Sequence, residues 1–200
     1  MVEESAWMRL IRQNPGHSEW FIERFRRMAA EGTDLGGEAR LIDAMLPRNA
    51  RVLDAGCGAG RIGGFLASLG HEVVGVDLDP ALIAAAEEDH PKARWLVGDL
   101  AEIDLRVNGI PADFPVIVCG GNVAPFLAPS TRVEVLRRLK LHLALDGRLV
   151  VGFGAGRGYT FEEFRRDART AGLQEDVLLS TWDLRPFNDS STFLVAILRR

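Results

Sequence analysis

The segment Arg51 to Pro80, RVLDAGCGAGRIGGFLASLGHEVVGVDLDP, limits what this chain can fold into more than any other stretch. Val52 and Leu53 form a short apolar run that enters Asp54, Gly56, Gly58 and Gly60. Glycines so spaced let the backbone turn sharply and lie close to a ligand. A helix follows, with Ile62, Phe65, Leu66 and Leu69 on one face, and it stops at Gly70, a natural C-terminal cap. Val73, Val74 and Val76 are a second strand that delivers Asp77 at its carboxyl end. Strand, glycine loop, helix and strand make a right-handed crossover unit. Sheets built from such units bind ligands in the crevice beyond the carboxyl ends of their strands.

The alternation continues to the end of the chain. Asp79 and Pro80 suit the start of a helix to about Asp89. Ala93 to Val97 is a third strand ending in Gly98-Asp99-Leu100, and the wholly apolar Val116 to Cys119 is a fourth, ending in Gly120-Gly121-Asn122. Thr131 and Glu134 match a capping box for a helix to about Ala144. Asp146-Gly147 reads as a turn into a fifth strand, Arg148 to Phe153. A second glycine loop, Gly154 to Tyr159, precedes a helix opened by Thr160 and Glu163. Leu173 to Trp182 and Thr192 to Leu198 are joined by too short a link for a helical crossover, so they pair antiparallel. The spacing predicts a doubly wound, mostly parallel seven-stranded α/β sheet with an antiparallel last strand, the first strand central. This unit covers residues 47–200. Residues 1–46 read as N-terminal helices, one carrying an apolar face of Trp20, Phe21, Phe25 and Met28, another turning Leu41, Ile42 and Met45 inward.

Composition excludes several function classes. With 47% hydrophobic and 26% charged residues among 200, the chain suits one well-cored domain. A net charge of -4 gives no electrostatic footprint for nucleic acid or an anionic membrane. Cys57 and Cys119 fall inside core motifs and read as small buried fillers, not nucleophiles or a disulfide framework. No metal site is expected. The opening MVEESAWMRLIRQ lacks a signal-peptide pattern, and the longest uncharged stretch, Phe114 to Ser130, is broken by prolines, so a cytoplasmic setting is expected.

Two ligands compete for the glycine loop. Gly58 to Gly63 fits G-x-G-x-x-G with Asp77 downstream, the pattern of an NAD-dependent oxidoreductase. Asp54 to Gly60 also reads D-x-G-x-G-x-G, with a carboxylate still on the strand. That acid would repel a pyrophosphate. S-adenosylmethionine has no phosphate and carries an ammonium and a sulfonium, which Asp54 would attract. Asp77 would accept from both ribose hydroxyls, Leu78 would cover the adenine, Asp99 would accept from its amino group, and the Leu100 backbone would meet a ring nitrogen.

On VLDAGCGAG, VVGVDLDP, WLVGDL and FPVIVCGGNVAPFL, and on the closing strand pair, the chain resembles a class I S-adenosylmethionine-dependent methyltransferase over roughly residues 40–200. It is most similar to the short stand-alone members that act on small molecules. The resemblance implies S-adenosylmethionine as cofactor, S-adenosylhomocysteine as product, and cofactor roles for Asp54, Gly56, Cys57, Gly58, Asp77, Leu78, Asp99, Leu100 and Asn122. It implies methyl transfer to N, O or C of a small-molecule acceptor, by a monomer or homodimer; a non-catalytic binding module is the alternative outside enzymes. Where nucleic-acid amino-methylating members carry Asn/Asp-Pro-Pro-aromatic, this chain has Gly120-Gly121-Asn122-Val123, which argues against base methylation. Nor does it carry a metal set like that of catechol-type members. The N-terminal helices are expected to form a lid, with Trp20, Phe21 and Arg24 over the cofactor and Arg24 at its carboxylate. Arg157, Tyr159 and Trp182 to Arg185 are candidates for the acceptor pocket, and His17 for an active-site group. His71, His90 and His142 are expected to be structural or exposed. No residue is named as catalytic.

Overall fold

The computed structural model describes residues 3–200; the first two residues of the N-terminal segment lie outside the described residues. Seven strands form one sheet: β1 (Arg51–Ala55), β2 (Glu72–Asp77), β3 (Arg94–Val97), β4 (Phe114–Cys119), β5 (Leu143–Gly154), β6 (Gln174–Leu179) and β7 (Phe193–Arg199). Their order is β3-β2-β1-β4-β5-β7-β6. Only β7 runs antiparallel to its neighbours, as the short link before it requires. The middle strand is β4 and not β1. The order reverses between these two, so the switch-point crevice opens where the glycine loop after β1 meets the Gly120-Gly121-Asn122 tip of β4.

Both faces of the sheet are covered, which is why its strands are near-continuous apolar runs. Leu53, Val74, Ile117, Leu149 and Leu194 pack beneath α7 (Arg132–His142) and α8 (Phe161–Thr170). The alternate residues Val52, Val73, Val118 and Val150 pack beneath α3 (Gly37–Ala44) and α4 (Arg61–Ser68). On that second face α5 (Pro80–Asp89) sets Ile83 and Ala86 against Trp95 of β3.

The helix starts follow their caps. Asp79 Oδ1 accepts from Ala81 N at 2.9 Å with Pro80 at the first position of α5. Thr160 and Glu163 form the complete capping box of α8. The expected box at Thr131 and Glu134 does not form. Residues Pro129–Thr131 are already a 3-10 turn, so Thr131 lacks the extended backbone a cap needs (φ -103°, ψ -10°). Its hydroxyl bonds Ala128 O instead, and Glu134 pairs with Arg138 one turn on. Asp146-Gly147 is likewise no free turn. It bulges within β5, where Leu143 pairs with Phe114 but Arg148 with Val116.

Three further helices are α1 (Ala6–Gln13), α2 (His17–Ala30) and the single turn α6 (Val123–Phe126). The buried face of α2 differs from the expected one. Ser18 and Ile22 are its buried residues, while Trp20 is 52% exposed. The aromatic side of α2 meets a cavity, not the core.

Candidate cofactor and acceptor site

A cavity of about 1300 Å³ lies across the carboxyl ends of the parallel strands. Single-ligand pockets usually span about 300–1,000 Å³, so this one has room for a nucleoside and a second small molecule.

Its first half lies over β1, β2 and β3. The loop after β1 passes through left-handed conformations at Gly56 (φ 78°) and Gly58 (φ 54°). A Cβ on Gly56 would fall 2.5 Å from a methyl of Val123, so only glycine lets this loop lie against the tip of β4. Three of the loop's amides are committed within the protein. Gly56 N and Cys57 N donate to Val76 O at 2.8 and 3.1 Å, and Gly58 N donates to Asp77 Oδ2 at 2.8 Å.

Four acids stand at or beside these strand ends, and among the described residues none forms an ion pair. Asp77 lines the cavity; its other oxygen accepts from Asp79 N at 3.0 Å. Burial holds its carboxyl above the usual range despite these backbone donors. Asp99 also lines the cavity and braces its turn through Ala101 N at 2.8 Å. Leu78 and Leu100 line it between them, and the buried Leu100 has an N–H with no partner among the described residues. Asp54 does not line the cavity, contrary to the expected direct contact. It is 1% exposed and its Oδ2 accepts from Gly63 N at 2.8 Å, because the first turn of α4 offers an unpaired amide directly above it. Burial pushes the Asp54 carboxyl up to about 7.

The fourth acid, Asp79, organises the roof. Its Oδ2 accepts from Trp7 Nε1 at 2.9 Å and from Ser18 Oγ at 2.5 Å, joining α1 and α2 to the cap of α5. Arg26 of α2 pairs with Glu88 and Asp89 at the other end of α5. Trp7 reaches the far side of the cavity, edge-on to Phe126 of α6 at 5.5 Å. Phe21 lies over Gly58, and Arg24 lines the mouth with its guanidinium 5.6 Å from the Trp20 and Phe25 rings. Sequence reading missed this latch. A serine four residues before Ile22 on the buried side of α2 was its one signal.

The second half lies over β4, β5, β7 and β6. Asn122, left-handed at φ 66°, accepts Gly154 N at 2.8 Å and ties the tip of β4 to that of β5. Arg157 lines the cavity, as do Thr181, Trp182 and Phe193. Trp182 fits because Gly152 has no side chain; a Cβ there would lie 2.2 Å from the indole. Four candidates are not brought to this wall. Leu184 is 60% exposed outside it. Asp183 and Arg185 are exposed outside it and face each other at 3.7 Å. Tyr159 is 1% exposed, bonded to Asp167 at 2.9 Å, and burial pushes its phenol well above the usual range.

The remaining candidates divide as their surroundings dictate. His17 lines the cavity between Trp7 and Trp20, each with ring centroids 5.2 Å away. His71 bonds Asp43, and His142 uses both ring nitrogens on Arg138 O and Leu105 N. His90 lies half-buried at the edge of the cavity against Gly64. Cys57 lines the cavity with its thiol packed toward Gly75, and burial pushes it well above the usual range; Cys119 is pushed up to about 12 by burial. No group of His, Cys, Asp and Glu among the described residues is arranged to hold a metal, and no helix of the described residues is long and apolar enough to cross a membrane.

Sheet order, switch-point crevice and strand-end acids together define a Rossmann-like domain for a nucleoside-containing cofactor. A family model described as a methyltransferase domain matches residues 52–147. The chain is 50% identical to a TehB-like SAM-dependent methyltransferase from Corynebacterium glutamicum, covering 94% of this chain and all of that one at a TM-score of 0.88. It therefore belongs to the S-adenosylmethionine-dependent methyltransferases. It is 32% identical to malonyl-[acyl-carrier protein] O-methyltransferase of Pectobacterium atrosepticum, over 62% of this chain and 45% of that protein. The CcbJ methyltransferase of Streptomyces caelestis shares the fold at 19% identity and a TM-score of 0.72, covering 82% of this chain and 88% of that one. The chain spans about half or less of the length of the curated relatives it matches.

Proposed function

We propose that the protein transfers a methyl group from S-adenosylmethionine to a nucleophilic N, O or C atom of a small molecule, with the cofactor in the β1–β3 half of the cavity and the acceptor in the β4–β7 half. The observation that carries this is the set of strand-end acids without cationic partners, beside a glycine loop that gives one of its amides, Gly58 N, to Asp77. A pyrophosphate would find a negative field there, which disfavours NAD. A sulfonium and an ammonium would find attraction.

In this reading Asp77 accepts from the ribose hydroxyls with the lone pairs its backbone donors leave free. Leu78 covers the adenine, Asp99 accepts from its amino group, and the unpartnered Leu100 N–H meets a ring nitrogen. Gly56, Cys57 and Gly58 pass beneath the methionine portion and Asn122 stands at the methyl end. Asp54 acts through the loop it braces, not by direct contact. Bound there, S-adenosylmethionine would supply an electrophilic methyl, passed to the acceptor's nucleophilic electron pair with the carbon–sulfur pair left on sulfur.

The chain's own task is to orient and to exclude water. Helices α1 and α2 act as a lid latched on Asp79, which places Trp20 and Phe21 over the site and Arg24 within reach of the cofactor carboxylate. A hydroxyl acceptor passes its proton to His17; an acceptor that arrives deprotonated needs no base. A small acceptor is supported by the roof, which makes the site a cavity and not an open groove. Two buried thiols with no disulfide accord with a cytoplasmic protein. Calorimetry tests the reading: S-adenosylhomocysteine is expected to bind and NAD not to. Release of S-adenosylhomocysteine in an acceptor screen separates an enzyme from a binding module.

A further inference from the structure

Four guanidinium groups line the cavity, and their partners differ. Arg61 makes a bidentate pair with Glu38 at 2.6 and 2.8 Å, and Arg26 is held by Glu88 and Asp89. Arg24 lies against two aromatic rings. Arg157 has no ion pair and no side-chain hydrogen bond among the described residues.

The loop that carries Arg157 is nevertheless firmly built. Its first residue, Gly154, donates to Asn122, and Ala155 N donates to Thr192 O at 2.9 Å. The left-handed Gly156 and Gly158 flank Arg157 (φ 75° and 77°) and turn it toward the cavity. Beneath them Arg132, 8% exposed, donates to Gly158 O at 2.8 Å and lies 3.9 Å over the Tyr159 ring. A Cβ on Gly154 would lie 3.5 Å from Arg157 Nε and 3.6 Å from Asn122 Oδ1, which sets Arg157 beside the residue at the methyl end.

Arg157 is exposed at the rim of the cavity with no anion on its guanidinium, and a planar fork of N–H donors of this kind matches a carboxylate edge. Given the proposed methyl transfer, we infer that the acceptor is an organic carboxylate whose anionic group sits on Arg157, with its apolar body against Trp182 and Phe193. Arg157 then sets specificity and Arg132 positions it.

Arginine side-chain NMR on the S-adenosylhomocysteine complex tests this with benzoate and benzamide as probes. Benzoate is expected to shift the Arg157 Nε–Hε signal saturably, and benzamide to leave it in place. In Arg157→Gln the benzoate response is lost while affinity for S-adenosylhomocysteine stays within about twofold. With carboxylate acceptors from the screen, Arg157→Gln is expected to raise KM about 10- to 100-fold with little change in kcat, the effect of one charge-assisted contact, and Arg157→Lys to recover part of it. The inference is overturned if both probes move the signal alike, if neither moves it, or if the acceptors are neutral and indifferent to Arg157→Gln. Failure of the wild-type protein to bind S-adenosylhomocysteine would overturn the cofactor reading itself, and this inference with it.

Discussion

The two halves of the cavity are built with opposite charge and by opposite means. Over β1–β3, acids sit at successive strand ends and are held by backbone amides, from two residues on for Asp77 (Asp79) and Asp99 (Ala101) and from the glycine loop for Asp77 (Gly58). Over β4–β7, a cation stands on a loop whose supports come from Asn122, Arg132 and Thr192, distant in sequence. A nucleoside of fixed shape can be met by short-range turns at strand tips. An acceptor wall has to be assembled from whatever the later strands and helices bring together. The division teaches that changes in the first half should alter cofactor binding, and changes in the second should alter acceptor use alone.

The largest expected effect lies in the first half. Asp77→Ala should weaken S-adenosylhomocysteine binding by about 100-fold or more in calorimetry, through loss of two hydrogen bonds to a charged acceptor. A change under tenfold would break the comparison. Next comes Asp54→Asn. The Asp54 carboxyl sits near 7 when folded against an ordinary unfolded value of 3.8, so the folded state holds the extra proton between these limits. The contribution of Asp54 to stability therefore falls as pH rises from about 4 to about 7 and levels off above. The asparagine variant, which keeps an acceptor for Gly63 N, should flatten that slope and be more stable at pH 7.5 by on the order of a few kcal/mol. Urea unfolding across the range reads both.

A smaller effect is expected at the latch. Asp79→Ala strands Trp7 Nε1 and Ser18 Oγ and removes the cap of α5, a loss of about 2 kcal/mol in stability. Limited proteolysis should then cut between α1 and α2, and S-adenosylhomocysteine binding should weaken about tenfold with the sheet's circular dichroism unchanged. Removing residues 1–30 should weaken the cofactor likewise; unchanged affinity would leave the roof with no part in binding. The smallest effect sharpens the contrast most. Trp182→Phe should leave cofactor affinity within about twofold, since burial of a smaller ring beside Gly152 touches only the second half.

The same division explains what the sequence made legible. The crossover unit and its glycine loop are contiguous, so fold class, strand pairing and the placement of Asp77, Leu78, Asp99 and Leu100 along the cavity follow from local pattern. The surroundings of Asp54 were less legible, because the D-x-G spacing is satisfied equally by a carboxylate aimed at a ligand and by one aimed at the next helix. Residues joined across the chain were not legible. Trp7 and Ser18 meet Asp79 from 72 and 61 positions away. Tyr159 and Arg157 share one loop, yet Phe153 and Phe164 draw the first inward while the second faces the cavity.

A crystal structure of the protein soaked with S-adenosylhomocysteine tests the division of the cavity most directly. The ribose hydroxyls should lie within hydrogen-bond distance of Asp77, the adenine between Leu78 and Asp99, and the Arg157 wall should stay open. A nucleoside found over β5 and β7 beside Arg157, with Asp77 and Asp99 untouched, would contradict the account.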